Sequence, residues 1–129
     1  MKYTLEKNDT YTLLKIGEDK LDSLTAPQLK SEFVKINTNG EKNIILDLSQ
    51  VKYVDSSGLS AILVGNRLCS NSEGKLILVS INDHVDKLLT ISQLKGILEI
   101  LASTEDAIEF LHLDSLEKNL KEDASEETE

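Results

Sequence analysis

Residues 54–63 read Val-Asp-Ser-Ser-Gly-Leu-Ser-Ala-Ile-Leu, and the pattern of apolar side chains changes here from that of a strand to that of a helix. Before this stretch, residues 43–48 are almost continuously apolar and branched, which is typical of a strand buried on both faces of a sheet. After it, apolar side chains recur at helical spacing up to Ser70, and residues 75–79 form a second strand-like run. The sequence therefore predicts a strand-helix-strand unit over residues 43–79, with the right-handed crossover of such units.

Further elements are predicted on both sides of this unit, from β-prone runs bounded by turn residues and from apolar residues at helical spacing. They are strands at residues 3–7, 11–16 and 97–101, and helices that begin near Thr25, Asp83 and Ser103. Thr25 and Gln28 form the pattern of a capping box, while Asn82 and Ser103 can each cap the helix that follows. The order β-β-α-β-α-β-α-β-α predicts one α/β domain, with a mixed sheet of about five strands covered by four to five helices.

The composition predicts a single globular domain in the cytoplasm. Of 129 residues, 40% are hydrophobic and 29% are charged, which suffices for one core. No run approaches the roughly 18 apolar residues of a membrane span, and the first residues lack the apolar centre of a signal peptide. The net charge of −9 disfavours nucleic acid and anionic membranes as partners and favours a protein with a basic patch.

Cysteine content and the C-terminus add three expectations. Cys69 is the one cysteine, so an internal disulfide is excluded, and we expect it to be buried. No Cys/His cluster has the spacing of a zinc site, and we expect neither a metal nor a bound cofactor. Residues 117–129 hold six acidic and two basic side chains and little that could be buried. They predict a disordered, solvated tail after a domain at residues 1–116.

Asp55, Ser56 and Ser57 follow a buried strand and open the next helix, where open α/β sheets place their functional surfaces. A serine in this position is most often a helix cap, and Asp22 and Asp55 can likewise be simple turn and cap residues. Gly58 allows close approach of another backbone segment. The residue types alone leave open whether this is a capped helix or a functional site.

Asp55-Ser56-Ser57-Gly58-Leu59 resembles the signature of the STAS domain family, specifically of its small anti-sigma factor antagonists. The resemblance extends over about residues 3 to 113, and the order of elements agrees throughout. Other matching segments are Leu21-Asp22, Thr25-Ala26, the apolar strands at residues 44–48 and 74–79, and residues 85–94.

The resemblance implies a switch that another protein operates. In that family the serine directly after the aspartate is phosphorylated by a partner that is both a serine kinase and an anti-sigma factor. The matching residue here is Ser56, with Ser57 as the alternate acceptor. The unphosphorylated form would bind the kinase and so free a sigma factor, the phosphorylated form would not, and a PP2C-type serine phosphatase would restore binding. The kinase carries the ATP and magnesium, so this chain would be a substrate and not an enzyme.

The family's partner-binding surface would consist here of Asp22, Asp55, Ser56, Ser57 and Gly58. The chain departs from close relatives in three ways. Residues 17–22 are two residues longer than their Gly-Glu-Leu-Asp, Ser60 stands where glycine is frequent, and the acidic tail is extra. The first two changes fall near the binding surface and so affect the choice of partner.

Two other functions compete with the switch. An esterase-like enzyme would use Ser56 as nucleophile with His84 or His112, although residues 54–58 lack the first glycine of a Gly-x-Ser-x-Gly elbow. A STAS scaffold, or an accessory subunit of another signalling or lipid-transport complex, would keep the fold without the sigma switch.

Overall fold

The structure, a computed structural model, describes the backbone of residues 1–127 and the side chains of residues 1–120. Nine of its elements follow the predicted order, and the two that were not predicted are β3 and β5. In chain order the elements are β1 (Tyr3–Lys7), β2 (Thr12–Ile16), β3 (Lys20–Leu21), α1 (Ala26–Thr38), β4 (Ile44–Asp47), β5 (Tyr53–Val54), α2 (Ser56–Asn71), β6 (Leu76–Val79), α3 (Asp83–Ile91), β7 (Glu99–Leu101) and α4 (Thr104–Glu127).

Five strands form one mixed sheet in the order β1-β2-β4-β6-β7. β1 is antiparallel to β2, and the other neighbours are parallel. The register of β4 on β6 pairs Ile44 with Leu76, and every residue of these two strands is buried. Such continuous burial is expected of central parallel strands that are covered on both faces. The predicted strand-helix-strand unit is confirmed.

Different helices cover the two faces of this sheet. Leu46 and Leu78 point into the larger core cluster, which contains apolar residues of α1, α2 and α3. Ile45 and Ile77 point the other way and pack with Ala107 and other residues of α4. This division follows from the alternation of side chains along a strand. Helix α4 therefore lies on the opposite side of the sheet from α2.

Cys69 on α2 is buried in the larger core, as predicted. Burial raises the pKa of its thiol to about 12, because the charged thiolate would lose its hydration; a backbone hydrogen bond with Ile44 offsets part of this effect. Within the described residues, no helix is both long and apolar enough to cross a membrane.

One local prediction is wrong, and two short strands were not predicted. Thr25 precedes α1, but its side chain makes no cap hydrogen bond, so the predicted capping box with Gln28 is wrong. The Thr25 hydroxyl instead accepts a hydrogen bond from the Asp22 amide at 2.9 Å. β3 and β5 form a separate two-stranded parallel sheet. Two residues per strand are too few to show the alternation that identifies a strand in a sequence.

Helix α4 continues past the predicted domain boundary at residue 116. Residues 117–120 are exposed, as expected of a solvated segment. The side chains of residues 121–129, which make up most of the predicted tail, lie outside the described part of the chain. The division into a domain at residues 1–116 and a tail at residues 117–129 stays a prediction.

Candidate functional site

Helix α2 is capped by Asp55 rather than by a serine. The Asp55 backbone is extended, and its carboxylate oxygen Oδ1 accepts hydrogen bonds from the amides of Ser57 at 2.8 Å and Gly58 at 3.0 Å. Two of the amides left unpaired at a helix N-terminus are thereby satisfied. Ser56 is consequently the first residue of the helix and is exposed. Within residues 1–120, its hydroxyl has no hydrogen-bond partner.

Gly58 lies where α2 meets the end of β3. A Cβ atom built on Gly58 would lie 2.7 Å from the Leu21 Cβ and closer still to the Leu21 carbonyl oxygen. Real Cβ atoms do not approach backbone so closely, so glycine is required for this contact. The predicted close approach at Gly58 is confirmed, and it brings β3 against the start of α2.

Pairing of β3 with β5 places Asp22 beside Asp55. Leu21 is in register with Val54, and the Asp55 amide donates to the Leu21 carbonyl at 3.0 Å. Asp22 and Asp55 are the next residues of these two paired segments, and neighbouring strands lie about 5 Å apart. The Asp22 carboxylate also accepts from the Leu24 amide at 3.0 Å, which makes it a turn residue. The structure thus brings all five predicted residues close together, with Ser56 exposed, Asp22, Asp55 and Ser57 half-buried, and Gly58 buried beneath them.

The segment before Ser56 is held from two sides. The Asp19 carbonyl accepts from the amides of Lys52 at 2.7 Å and Tyr53 at 3.1 Å. On the other side, Asn82 Nδ2 donates to the carbonyls of Val51 and Lys52, both at 3.2 Å. Asn82 Oδ1 meanwhile accepts from the Val85 amide at 2.8 Å and so caps α3, as predicted.

Sequence reasoning missed this second role of Asn82. Its partners are main-chain carbonyls, which are the same for every residue type and leave no trace in a sequence. The lengthened loop at residues 17–22 was noticed only as a departure from relatives. In the structure it supplies both the Asp19 carbonyl and strand β3.

Neither histidine is arranged to activate Ser56. The His84 ring stacks on that of Tyr53, with the centroids 5.3 Å apart, and both side chains are exposed. His112 lies on α4, which packs on the opposite face of the sheet from α2. Among residues 1–120, no hydrogen bond joins Ser56 to a histidine. The triad that nucleophilic catalysis by a serine requires is therefore not formed by the described residues.

Among the described residues, no group of three or more His, Cys, Asp or Glu side chains is placed to hold a metal ion. The described part of the site presents the exposed Ser56, the half-buried Ser57 and two carboxylates on a surface that backbone hydrogen bonds hold in place.

Residues 2–107, which make up most of the chain, match the STAS domain. The chain belongs to the STAS domain family. A Bordetella bronchiseptica protein provisionally named as the anti-sigma factor antagonist BtrV is 30% identical over 107 residues, covering 83% of this chain and 91% of the relative. The anti-sigma-B factor antagonist of Staphylococcus aureus is 26% identical over 97 residues, covering 75% and 89%.

Solved STAS structures have the same fold. A Thermotoga maritima protein, provisionally named as an anti-sigma factor antagonist, superposes with a TM-score of 0.78 at 28% identity, covering 85% of this chain and 94% of the other. The phosphorylated form of the Bacillus cell fate determinant SpoIIAA superposes with a TM-score of 0.67, covering 85% and 99%. Its identity to this chain is 21%, so this likeness concerns the fold alone.

Proposed function

We propose that this STAS protein is an anti-sigma factor antagonist that phosphorylation of Ser56 switches off. The observation that carries the proposal is the exposed Ser56 at the start of α2, next to a residue that already caps the helix. Because Asp55 already caps the helix through the Ser57 and Gly58 amides, the Ser56 hydroxyl is not needed as a cap and is open to a partner. Relatives named as anti-sigma factor antagonists support the same function.

The partner in this proposal is an anti-sigma factor with serine kinase activity. Its unphosphorylated target surface is the patch of Asp22, Asp55, Ser56, Ser57 and Gly58, and binding there would release a sigma factor. The kinase supplies ATP and magnesium. Ser56 Oγ attacks the γ-phosphorus, ADP leaves, and a base on the kinase takes the hydroxyl proton. A helix-borne serine needs no unfolding to reach such a site, which favours the reaction by pre-orientation.

Electrostatic repulsion explains why phosphorylation would end binding. A phosphate adds about −1.5 to −2 charges at pH 7. On Ser56 it would stand beside Asp55 and close to Asp22, and the amides of Ser57 and Gly58 are already bonded to Asp55. The proposal requires that the kinase, whatever basic groups it carries elsewhere, places a carboxylate opposite Ser56. Like charges brought together there cost several kcal/mol, and about 1.4 kcal/mol corresponds to a tenfold loss of affinity. A PP2C-type serine phosphatase would remove the phosphate and restore binding.

The test is to mix the protein with its candidate kinase and Mg-ATP, to map the modified residue by mass spectrometry, and to measure kinase binding before and after. We expect one phosphate on Ser56 and at least about a tenfold weaker complex. Ser56→Ala should bind the kinase regardless of ATP, and Ser56→Asp should bind weakly.

Ser57→Ala is the matched control, because it removes the neighbouring hydroxyl and leaves Ser56 and the Asp55 cap in place. It should still be phosphorylated at Ser56. Absence of phosphate on Ser56 with the cognate kinase, or equal affinity before and after phosphorylation, would contradict the proposal.

A further inference from the structure

Helix α4 carries an apolar stripe on the side that faces away from the domain. Leu113, Leu116 and Leu120 are 57%, 47% and 68% exposed. At about 100° per residue they lie on one side of the helix, opposite Ala107 and Leu111, which are buried against the sheet. Isolated exposed leucines are ordinary, but leucines at positions i, i+3 and i+7 form the pattern by which a helix binds another helix. These three leucines form the outer face of α4.

Carboxylates surround the outer face. From Thr104 to Leu120 the helix has five acidic residues and one lysine. Glu109 and Glu117 lie one turn from Leu113 on either side, and Glu117 is also one turn from Leu120. The lysine, Lys118, is engaged elsewhere: its Nζ lies 3.4 Å from Asp114 and donates to the Glu73 carbonyl. The described part of the outer face is therefore apolar in the middle and negative at its margins.

A second copy of this chain fits the outer face poorly. Two such faces in contact would set the acidic margins of one copy near those of the other, and like charges at an interface are repulsive. A partner with basic margins removes the repulsion and adds attraction.

We propose that the outer face of α4 docks a basic amphipathic helix of another protein. Apolar side chains of that helix would pack between the three leucines, and its lysines or arginines would pair with Glu109 and Glu117. The sheet separates α4 from α2, so this surface does not overlap the Ser56 site. The inference does not depend on phosphorylation of Ser56.

The probe is a fluorescent synthetic helix of leucine and lysine, about five turns long, with its leucines at helical spacing. A peptide of the same composition in scrambled order has the same charge without an apolar face. Binding to the full chain is followed by fluorescence anisotropy. We expect the amphipathic peptide to bind at least about tenfold more tightly than the scrambled one. Combined replacement of Leu113, Leu116 and Leu120 by glutamine should remove that preference.

Leu24→Gln is the matched control, since Leu24 is 80% exposed but lies in the loop before α1. It should bind the peptide as the unchanged protein does. Glutamine forms helices well, so circular dichroism should show α4 intact in the triple variant. Glu117→Gln, a milder change, should weaken binding and its salt dependence.

Equal binding of the two peptides, or equal binding by the triple variant, would overturn the inference. Analytical ultracentrifugation supplies a further check. A dimer of the unchanged protein that disappears in the triple variant would assign the outer face to a second copy instead. Ser56→Ala should bind both peptides as the unchanged protein does. A failure of docking on the outer face of α4 is therefore distinguishable from a failure of the phosphorylation switch.

Discussion

Gly58 links the candidate surface to the fold, because its lack of a Cβ atom allows close contact with Leu21. Its backbone lies against Leu21, and this contact sets the distance between the start of α2 and strand β3. Asp22 follows Leu21 directly, so the same contact places the second carboxylate of the site. The conformation of Gly58 is helical, and its role is therefore close packing rather than an unusual backbone angle.

Gly58→Ala should destabilise the protein by about 1 to 3 kcal/mol, the usual cost of overpacking, because β3 must move away from α2. Urea unfolding measures the change. Gly96→Ala is the control: a Cβ there meets nothing within 4 Å, and we expect a change below about 0.5 kcal/mol. If both variants lose equal stability, the contact with Leu21 does not determine the position of β3.

Residue types predict where α2 begins, but not which residue caps it. Asp and Ser are equally good caps, so the sequence located the helix start without saying which of Asp55 and Ser56 caps it. That choice depends on the end of β5 and on its pairing with β3. The residues of the candidate surface were predictable from the motif, whereas their separate structural roles depend on tertiary contacts.

At the scale of elements, Asn82 joins three segments. Its oxygen caps α3, and its amide nitrogen holds the loop that leads into β5 and Ser56. Two carbonyls therefore depend on a single side-chain donor. A partner that binds at the start of α2 would therefore contact a surface next to a loop that Asn82, at the start of α3, holds in place.

Asn82→Asp separates these two tasks, because aspartate keeps the capping oxygen and lacks the amide donor. We expect α3 to remain capped and the protein to lose about 1 kcal/mol of stability, because the partly buried Val51 carbonyl and the exposed Lys52 carbonyl lose their side-chain donor. Amide hydrogen exchange, followed by NMR, should become faster at Lys52 and Tyr53. Phosphorylation of Ser56 by a cognate kinase should become slower.

Ser103→Ala provides the comparison. Ser103 Oγ accepts from the Asp106 amide at 3.1 Å, so this variant loses a cap on the opposite side of the sheet, at a similar cost of about 1 kcal/mol. It should leave exchange at Lys52 and Tyr53 unchanged. Similar exchange at these amides in the two variants would refute a positioning role for Asn82.

Long elements were predictable because their periodicity repeats several times. The central strands show unbroken apolar runs, and α2 shows its apolar spacing over four turns. β3 and β5 have no such repeat and exist through their pairing with each other. The Thr25 capping box failed for a related reason, since Asp22 offers the threonine hydroxyl a closer partner than the helix amides do.

Across the whole molecule, the sheet separates two surfaces of different character. The Ser56 surface adjoins the layer of α1, α2 and α3, and the outer face of α4 lies on the other layer. Partners at the two surfaces would not compete for the same residues. Under the two proposals, this domain would combine a contact that phosphorylation switches with one that it leaves unchanged.

The larger core makes global stability depend on pH through Cys69. The folded pKa is raised from 9.0 to about 12, so between these values the folded protein keeps a proton that the unfolded chain has lost. The contribution of the Cys69 thiol to the free energy of unfolding is fully present below pH 9. It is lost as the pH rises towards 12, by up to about 1.4 kcal/mol per pH unit.

Cys69→Ala removes this dependence at the cost of a small cavity, about 1 kcal/mol at pH 7. Urea unfolding from pH 7 to 11 should therefore show the unchanged protein more stable at neutral pH, with the difference shrinking and then reversing in alkali. All other ionisable groups are the same in the two proteins, so their effects cancel in the comparison. If the free energies of unfolding of the two proteins changed with pH in the same way, the thiol would ionise as readily in the folded protein as in the unfolded chain. The core around α2 would then be open to water.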